Sequence, residues 1–172
     1  LELGIPVLGI CYGCQLIADM TGGVVGQGPR EYGRQTLTVE GSALFEGVKK
    51  QSLCWMSHSN YVEKLPAGFR ATASTPTCPV AAMECVERGL YGVQFHPEVM
   101  HTEEGEKILR NFLYNVCGAK GDWTMGNFAS TTIDALRKKI GNKKVLCALS
   151  GGVGSAVAAT LVHEACPNLV CV

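Results

Sequence analysis

The stretch GICYGCQ, Gly9 to Gln15, sets a cysteine between two glycines directly after the apolar run Ile5-Pro6-Val7-Leu8. Few folds admit such a junction. A buried strand must turn sharply and pass at once into a helix, and flanking glycines make that turn sterically possible. Val7 to Ile10 reads as the strand. Gly13 to Met20 reads as the helix, with Leu16, Ile17 and Met20 on one face and Gly22-Gly23 ending it. Strand, Gly-x-Cys-x-Gly and helix together make a nucleophile elbow. The Cys11 sulfur then lies at a helix N-terminus, where partial positive charge and free N–H groups favour thiolate. The N–H of Tyr12 is placed to face a developing oxyanion. The competing reading of the motif alone is a structural cysteine in a strand-to-helix turn.

Cys14 adds two further readings. Cys11-x-x-Cys14 at a helix start is also the spacing of a thiol–disulfide site. It is half of a zinc site as well, but no second pair at suitable spacing follows. Cys14 falls inside the apolar helical pattern with Leu16 and Ile17, so it reads as packing. The chain has nine cysteines, an odd number at irregular spacings. The seven beyond the elbow read as small buried hydrophobes in a reducing cytosol rather than a disulfide framework.

An acyl-transfer thiolate needs a base, and the base needs an orienting group. VQFHPEV supplies both: His96 follows Phe95 at the end of a strand, and Glu98 stands two residues on. Residues i and i+2 share a face of an extended chain, and Pro97 disturbs the strand between them.

Between these motifs, TLTVE, SLCWM, FRATAS, VAAMEC and LYGVQF read as short strands. Glu103 to Val116 reads as an amphipathic helix carrying Ile108, Leu109, Phe112, Leu113 and Val116 at helical spacing. The Gly-rich segment 118–127 reads as a linker. It divides the chain into 1–117, an α/β domain with an open mixed sheet flanked by helices, and 128–172, a βαβ unit opening a second α/β domain. In the second part Ile133 to Ile140 reads as helix, KVLCAL as a buried strand, Ser155 to Ala165 as helix and Leu169 to Val172 as strand. The loop Ser150-Gly151-Gly152-Val153-Gly154-Ser155, with Ala156 next in the helix, offers backbone N–H groups and hydroxyls to a phosphate chain. It lacks the Gly-Lys-Ser/Thr ending of a Walker A loop.

Lys+Arg and Asp+Glu are both 15, which leaves no basic footprint for nucleic acid. No apolar stretch is long enough to span a membrane. The first residues lack the basic start of a secretory signal, and the expected location is the cytoplasm. The absence of an initial Met and an apolar finish at NLVCV suggest a chain cut at both ends.

GICYGCQ followed about eighty residues later by YGVQFHPEV resembles the class I (triad) glutamine amidotransferases. The resemblance implies that Cys11 attacks the glutamine side-chain amide, that His96 acts as base and then acid, and that Glu98 orients His96. It places Gln15, Ser57 and His58 at the substrate glutamine. REYG, WMSH, STPTCPVAAM, GVQFHPEVMHTEEG and GDWTM, with ALSGGVGSAVAATLVHEA after the linker, resemble the GMP synthase family and its PP-loop. That resemblance implies ATP with Mg2+ on the loop and xanthosine monophosphate (XMP) as the acceptor of ammonia. It implies a homodimer for the full-length enzyme. Two positions depart from the family pattern. Gly154 stands where the loop has Asp, and Ser59-Asn60 stand where Gly-Asp is expected. Other pathways' glutaminases, a Cys11/Cys14 redox module and an inactive binding relic are the alternatives.

Overall fold

The computed structural model describes residues 1, 3–122 and 124–172. Trp123 of the GDWTM segment and Glu2 lie outside the described residues. Two compact units are present, Leu1–Ala119 and Lys120–Val172.

The first unit is built on a six-stranded mixed sheet. In chain order it comprises β1 (Val7–Ile10), α1 (Tyr12–Met20), β2 (Val24–Val39), β3 (Gln51–Lys64), β4 (Arg70–Ser74), β5 (Ala82–Cys85), β6 (Leu90–Val93) and α2 (Gly105–Asn111). The strand order is β1-β6-β5-β4-β2-β3. β1 and β6 run parallel with Val7 opposite Leu90 and Ile10 opposite Val93; the other pairs are antiparallel. Parallel neighbours end at the same edge. The segments leaving β1 at Cys11 and β6 at Gln94 therefore emerge side by side.

Two apolar clusters cover the sheet. One gathers Leu37, Leu44, Phe45, Met56, Phe95 and Ile108. The other gathers Cys14, Ile17, Val62, Met83 and Leu90. Each large aliphatic or aromatic side chain buried this way stabilises the fold by roughly 1.5–3 kcal/mol. The buried face of α1 is Cys14, Ile17 and Ala18, an i, i+3, i+4 set, whereas Leu16 and Met20 are exposed. The expected Leu16–Ile17–Met20 face is thus rotated, because Cys14 sits beneath the helix against the sheet.

β2 and β3 form a long ribbon that extends well past the short TLTVE and SLCWM strands expected from composition. Pairing there depends on the backbone. A register shift between Gln27 and Glu31 absorbs Pro29, which has no N–H to donate. α2 is shorter than the expected 103–116 helix. From Phe112 to Val116 the coil widens to π geometry, with the Cys117 N–H donating to the Phe112 carbonyl at 2.9 Å. Phe112 and Val116 still pack on the core, but Leu113 is exposed.

The second unit contains α3 (Met125–Ile140), β7 (Val145–Cys147), α4 (Val153–Ala165) and β8 (Leu169–Cys171). β7 and β8 are parallel, giving the expected βαβ arrangement. α3 begins inside the segment read as a linker, and well before Ile133, because the Thr124 hydroxyl accepts the Asn127 N–H at 3.1 Å and caps it.

All nine cysteines are free thiols. Cys54, Cys78, Cys85 and Cys166 are buried as expected. Cys117 and Cys171 are exposed and Cys147 is half-buried, so the buried-hydrophobe reading fails for those three. Among the described residues no helix is long and apolar enough to cross a membrane.

Candidate active site

Cys11 has φ 50° and ψ −105°, and it is the one non-glycine with positive φ among the described residues. Such a conformation costs on the order of 1–3 kcal/mol and persists only where its surroundings enforce it. Here they do. The Cys11 N–H extends the β1/β6 ladder by donating to the Val93 carbonyl at 2.8 Å. Its own carbonyl accepts the Cys14 and Gln15 N–H groups and so starts α1. A Cβ on Gly9 would lie 2.5 Å from the Gly13 carbonyl, so the helix can approach only a glycine. A Cβ on Gly13 would meet nothing within 4 Å. The first glycine of the elbow is therefore required for packing and the second is not.

The thiol donates toward the Ser57 carbonyl at 3.7 Å, and the Gln94 Nε2 donates to the sulfur at 3.7 Å. Burial pushes the Cys11 thiol up. The Tyr12 N–H and the Gln94 amide act in the opposite direction, and the Glu98 carboxylate adds to the upward push. The expectation of a resting thiolate is corrected on this point: at this half-buried helix start desolvation outweighs the N–H groups. Cys14 is fully buried and its thiol is pushed up much further by burial, which supports packing rather than redox chemistry.

His96 and Glu98 meet directly, with Nδ1 to Oε1 2.7 Å. The carboxylate holds the imidazole through Nδ1, and Nε2 carries no hydrogen bond among the described residues. The loop is pinned from β3 and from Thr102 in the turn before α2. The His96 N–H donates to the Trp55 carbonyl at 3.0 Å, and the Thr102 hydroxyl donates to the His96 carbonyl at 2.6 Å while accepting the Trp55 N–H at 3.0 Å. The His101 ring lies against Trp55 at 4.7 Å. His96 is not itself among the hydrogen-bond partners of the Cys11 sulfur, although the Glu98 charge acts on it.

The three residues expected at glutamine divide. Gln15 is buried, and its Nε2 donates to the Asn60 carbonyl at 2.7 Å and to the Gln94 Oε1 at 3.0 Å. It also lines a cavity of about 160 Å3 with Tyr12, Leu16, Asp19, Val25 and Asn60. Ser57 presents its backbone carbonyl to the sulfur, while its side chain is exposed. The His58 ring is bonded within the protein. It is buried, with Nδ1 on the Asn60 carbonyl at 3.0 Å and Nε2 on Glu31 Oε2 at 2.8 Å, so neither nitrogen is free for a substrate. Glu31, His58 and Cys78 bring three potential metal-ligating atoms within 4.8 Å. The carboxylate is already engaged, however, because its other oxygen accepts the hydroxyls of Thr75 and Thr77. Sequence reading passed over Gln94, Thr102 and Gly105; the signal for Gln94 was a polar residue inside a fully buried strand run.

In the second unit, Ser150, Gly151 and Gly152 form the turn and α4 starts at Val153, two residues before the expected Ser155. The N–H groups of Val153, Gly154 and Ser155 are those of the first turn. The N–H of Ala156 is taken by the Gly152 carbonyl at 3.1 Å, which removes Ala156 from the expected phosphate set. The Ser150 hydroxyl donates to the Ser155 hydroxyl at 3.3 Å, which in turn donates to the Gly152 carbonyl at 2.8 Å, and a Cβ at Gly154 would meet nothing within 4 Å. The backbone donors of the first turn suit a phosphate chain; the loop holds no carboxylate for a cation.

A mixed α/β sheet that carries a strained cysteine elbow and a hydrogen-bonded His–Glu pair is an arrangement of the amidotransferase type. The glutamine amidotransferase class-I profile matches residues 1–116, and the chain belongs to that family. Over 174 residues it is 58% identical to the GMP synthase [glutamine-hydrolyzing] of Clostridium botulinum (strain Alaska E43 / Type E3), covering 99% of this chain and 34% of that protein. The Acetivibrio thermocellus GMP synthase [glutamine-hydrolyzing] is 60% identical over 166 residues, covering 95% of this chain and 32% of that one. The chain thus spans about a third of the length of these relatives. Among solved structures, a Thermoplasma acidophilum protein provisionally assigned as one subunit of a GMP synthase superposes with a TM-score of 0.65 at 35% identity, covering 68% of this chain and 59% of that one. A Thermotoga maritima glutamine amidotransferase shares the fold, with a TM-score of 0.53 at 20% identity over 80% of this chain and 51% of its own.

Proposed function

We propose that the chain is the glutamine-hydrolysing part of a GMP synthase together with the segment that leads into its nucleotide-activating part. The identity of 58% to such an enzyme across 99% of the chain is the observation that supports this furthest. Glutamine enters beside the elbow, with Gln15 and Asn60 lining the cavity for its polar end. His96 takes the Cys11 proton and the sulfur attacks the carboxamide carbon, while the Tyr12 N–H receives the oxyanion. The C–N bond breaks as His96 returns the proton to nitrogen, and ammonia leaves. Water, deprotonated by His96, then cleaves the thioester to glutamate. Glu98 holds Nδ1 through both halves.

Ammonia passes to XMP in an ATP-dependent amination that gives GMP, a step of purine biosynthesis. ATP, when bound, supplies the activation that turns an XMP oxygen into a leaving group. The Ser150 and Ser155 hydroxyls and the N–H groups of Val153, Gly154 and Ser155 would hold its phosphates, with Mg2+ drawn by the phosphates rather than by a loop carboxylate. The homodimeric state and cytoplasmic location expected of the family belong to the same proposal.

The test is glutamate release by a full-length form carrying this chain. Cys11→Ala abolishes it and Cys14→Ala leaves it near wild type; equal losses would instead favour a redox or purely structural pair. In the same background Gly154→Asp raises ATP-dependent amination of XMP, and an unchanged rate would mean that a carboxylate has no role at this position.

A further inference from the structure

We infer that Gln94, which no motif reading singles out, is a catalytic residue whose side-chain amide donates a hydrogen bond to the ionised Cys11 sulfur, with Gln15 acting as the positioning residue that aims it. The inference rests on the reading of Cys11 as nucleophile and adds the group that supports its charge.

The hydrogen-bond chain dictates the orientation of both amides. The Asn60 carbonyl can only accept, so the end of Gln15 that meets it at 2.7 Å is the NH2 group. That same NH2 faces Gln94 at 3.0 Å, so the near end of Gln94 is its carbonyl oxygen. The far end is therefore the NH2, and it points at Sγ from 3.7 Å. A flip of Gln94 would set NH2 against NH2 at Gln15 and oxygen against sulfur at Cys11. Gln94 has no exposed surface, so its amide depends on these two partners and not on water.

The groups about the sulfur have opposed effects. β3 contributes the Ser57 carbonyl, which accepts from the thiol and has nothing to offer a thiolate. The segment after β6 contributes Glu98, whose charge opposes ionisation, and His96 as its partner. α1 contributes the Tyr12 N–H, along with Cys14, whose thiol burial keeps neutral. During attack the Tyr12 N–H is needed by the oxyanion. Gln94 is then the donor that stays with the sulfur, and a hydrogen bond to an ionised acceptor is about twice as strong as a neutral one.

The experiment measures alkylation of Cys11 by iodoacetamide against pH in the 172-residue chain, read at the Cys11 peptide by mass spectrometry. The exposed Cys117 and Cys171 serve as internal references. Alkylation reports ionisation whether or not glutamine is turned over, so failure here is distinguishable from failure of the functional reading. Gln94→Leu is expected to raise the Cys11 midpoint by about one pH unit, seen as roughly a tenfold slower reaction below it, with the references unmoved. Gln15→Leu moves it in the same direction by less. A folded Gln94→Leu with an unshifted midpoint overturns the inference. Should that variant not fold, Gln94→Glu keeps the shape and the Gln15 contact; it must raise the midpoint further, and no shift again overturns the inference. In the unsubstituted chain, the Gln94 side-chain amide NMR signal must titrate with Cys11 and cease to do so in Cys11→Ala. A pH-independent signal refutes the contact.

Discussion

A methyl group added at Gly105 would press into the Pro97 carbonyl oxygen, well inside contact distance and against backbone that cannot rotate away. Gly105 opens α2, and Pro97 lies between His96 and Glu98, so the approach fixes how deep the catalytic loop is seated. The strain of Gly105→Ala would be relieved most easily by lifting the loop, since the helix is held below by Ile108 in the core. We expect this change to lower glutamate release at least tenfold with little change in KM for glutamine, because small misplacements of reacting groups cost rate steeply. Steady-state kinetics on the full-length form would check this. A variant that loses stability but keeps kcat would show that the contact serves folding alone.

At the scale of elements, β3 is the common support. It offers Ser57 to the sulfur, Trp55 to the His96 loop and Asn60 to Gln15. Its own position against β2 depends on the buried Glu31, which accepts from His58, Thr75 and Thr77. Because the Nδ1 of His58 must donate to a carbonyl, the ring has no other partner for Nε2 if the carboxylate is removed. Glu31→Ala strands a buried imidazole and the buried Thr75 hydroxyl, while the exposed Thr77 can turn to water, and we expect a loss of about 3–5 kcal/mol in urea unfolding. Thr77→Val, which removes one donor to a still-satisfied carboxylate, should lose about 1 kcal/mol. Losses of equal size would mean that the network is not centred on Glu31. The elbow, the His–Glu pair, the three short strands β4 to β6 and the βαβ unit were legible because each rests on local signals: a glycine turn, a period-two apolar run, an i+2 spacing. The ribbon beyond Leu37 and Cys54, the rotation of α1 and the burial of His58 were not. They are decided by partners distant in the chain, such as Trp55 for Arg34, Glu31 for His58 and Gln94 for Gln15. A chain read residue by residue carries no sign of which distant carboxylate claims an imidazole.

For the molecule as a whole, the first unit stores an alkaline liability. Cys14, Cys54 and Cys78 have no exposed surface, and burial pushes their thiols up, Cys54 and Cys78 to about 12 from 9.0. For Cys54 and Cys78 the nearby Glu31 carboxylate adds to the shift. In the unfolded chain the same thiols ionise near their ordinary value. Above that value the unfolded state binds fewer protons than the folded one, so unfolding free energy falls as pH rises. The contribution is level below about pH 8 and declines from about pH 9 toward pH 12. One pH unit above the ordinary value, each thiol gives up about 1.4 kcal/mol, and the three together about 4 kcal/mol, a large share of a typical 5–15 kcal/mol domain stability. Urea unfolding of the first unit, followed by Trp55 fluorescence in a Trp123→Phe background, should show a midpoint constant from pH 7 to pH 8 and markedly lower at pH 10. Replacing Cys78 with Val removes one titrating group at nearly constant volume, so the loss between pH 8 and pH 10 should shrink by about 1.4 kcal/mol. A pH 10 midpoint equal to that at pH 8 would mean that the buried thiols can ionise in the folded protein, and with it that the packing around Cys14 beneath the elbow is loose enough to admit water.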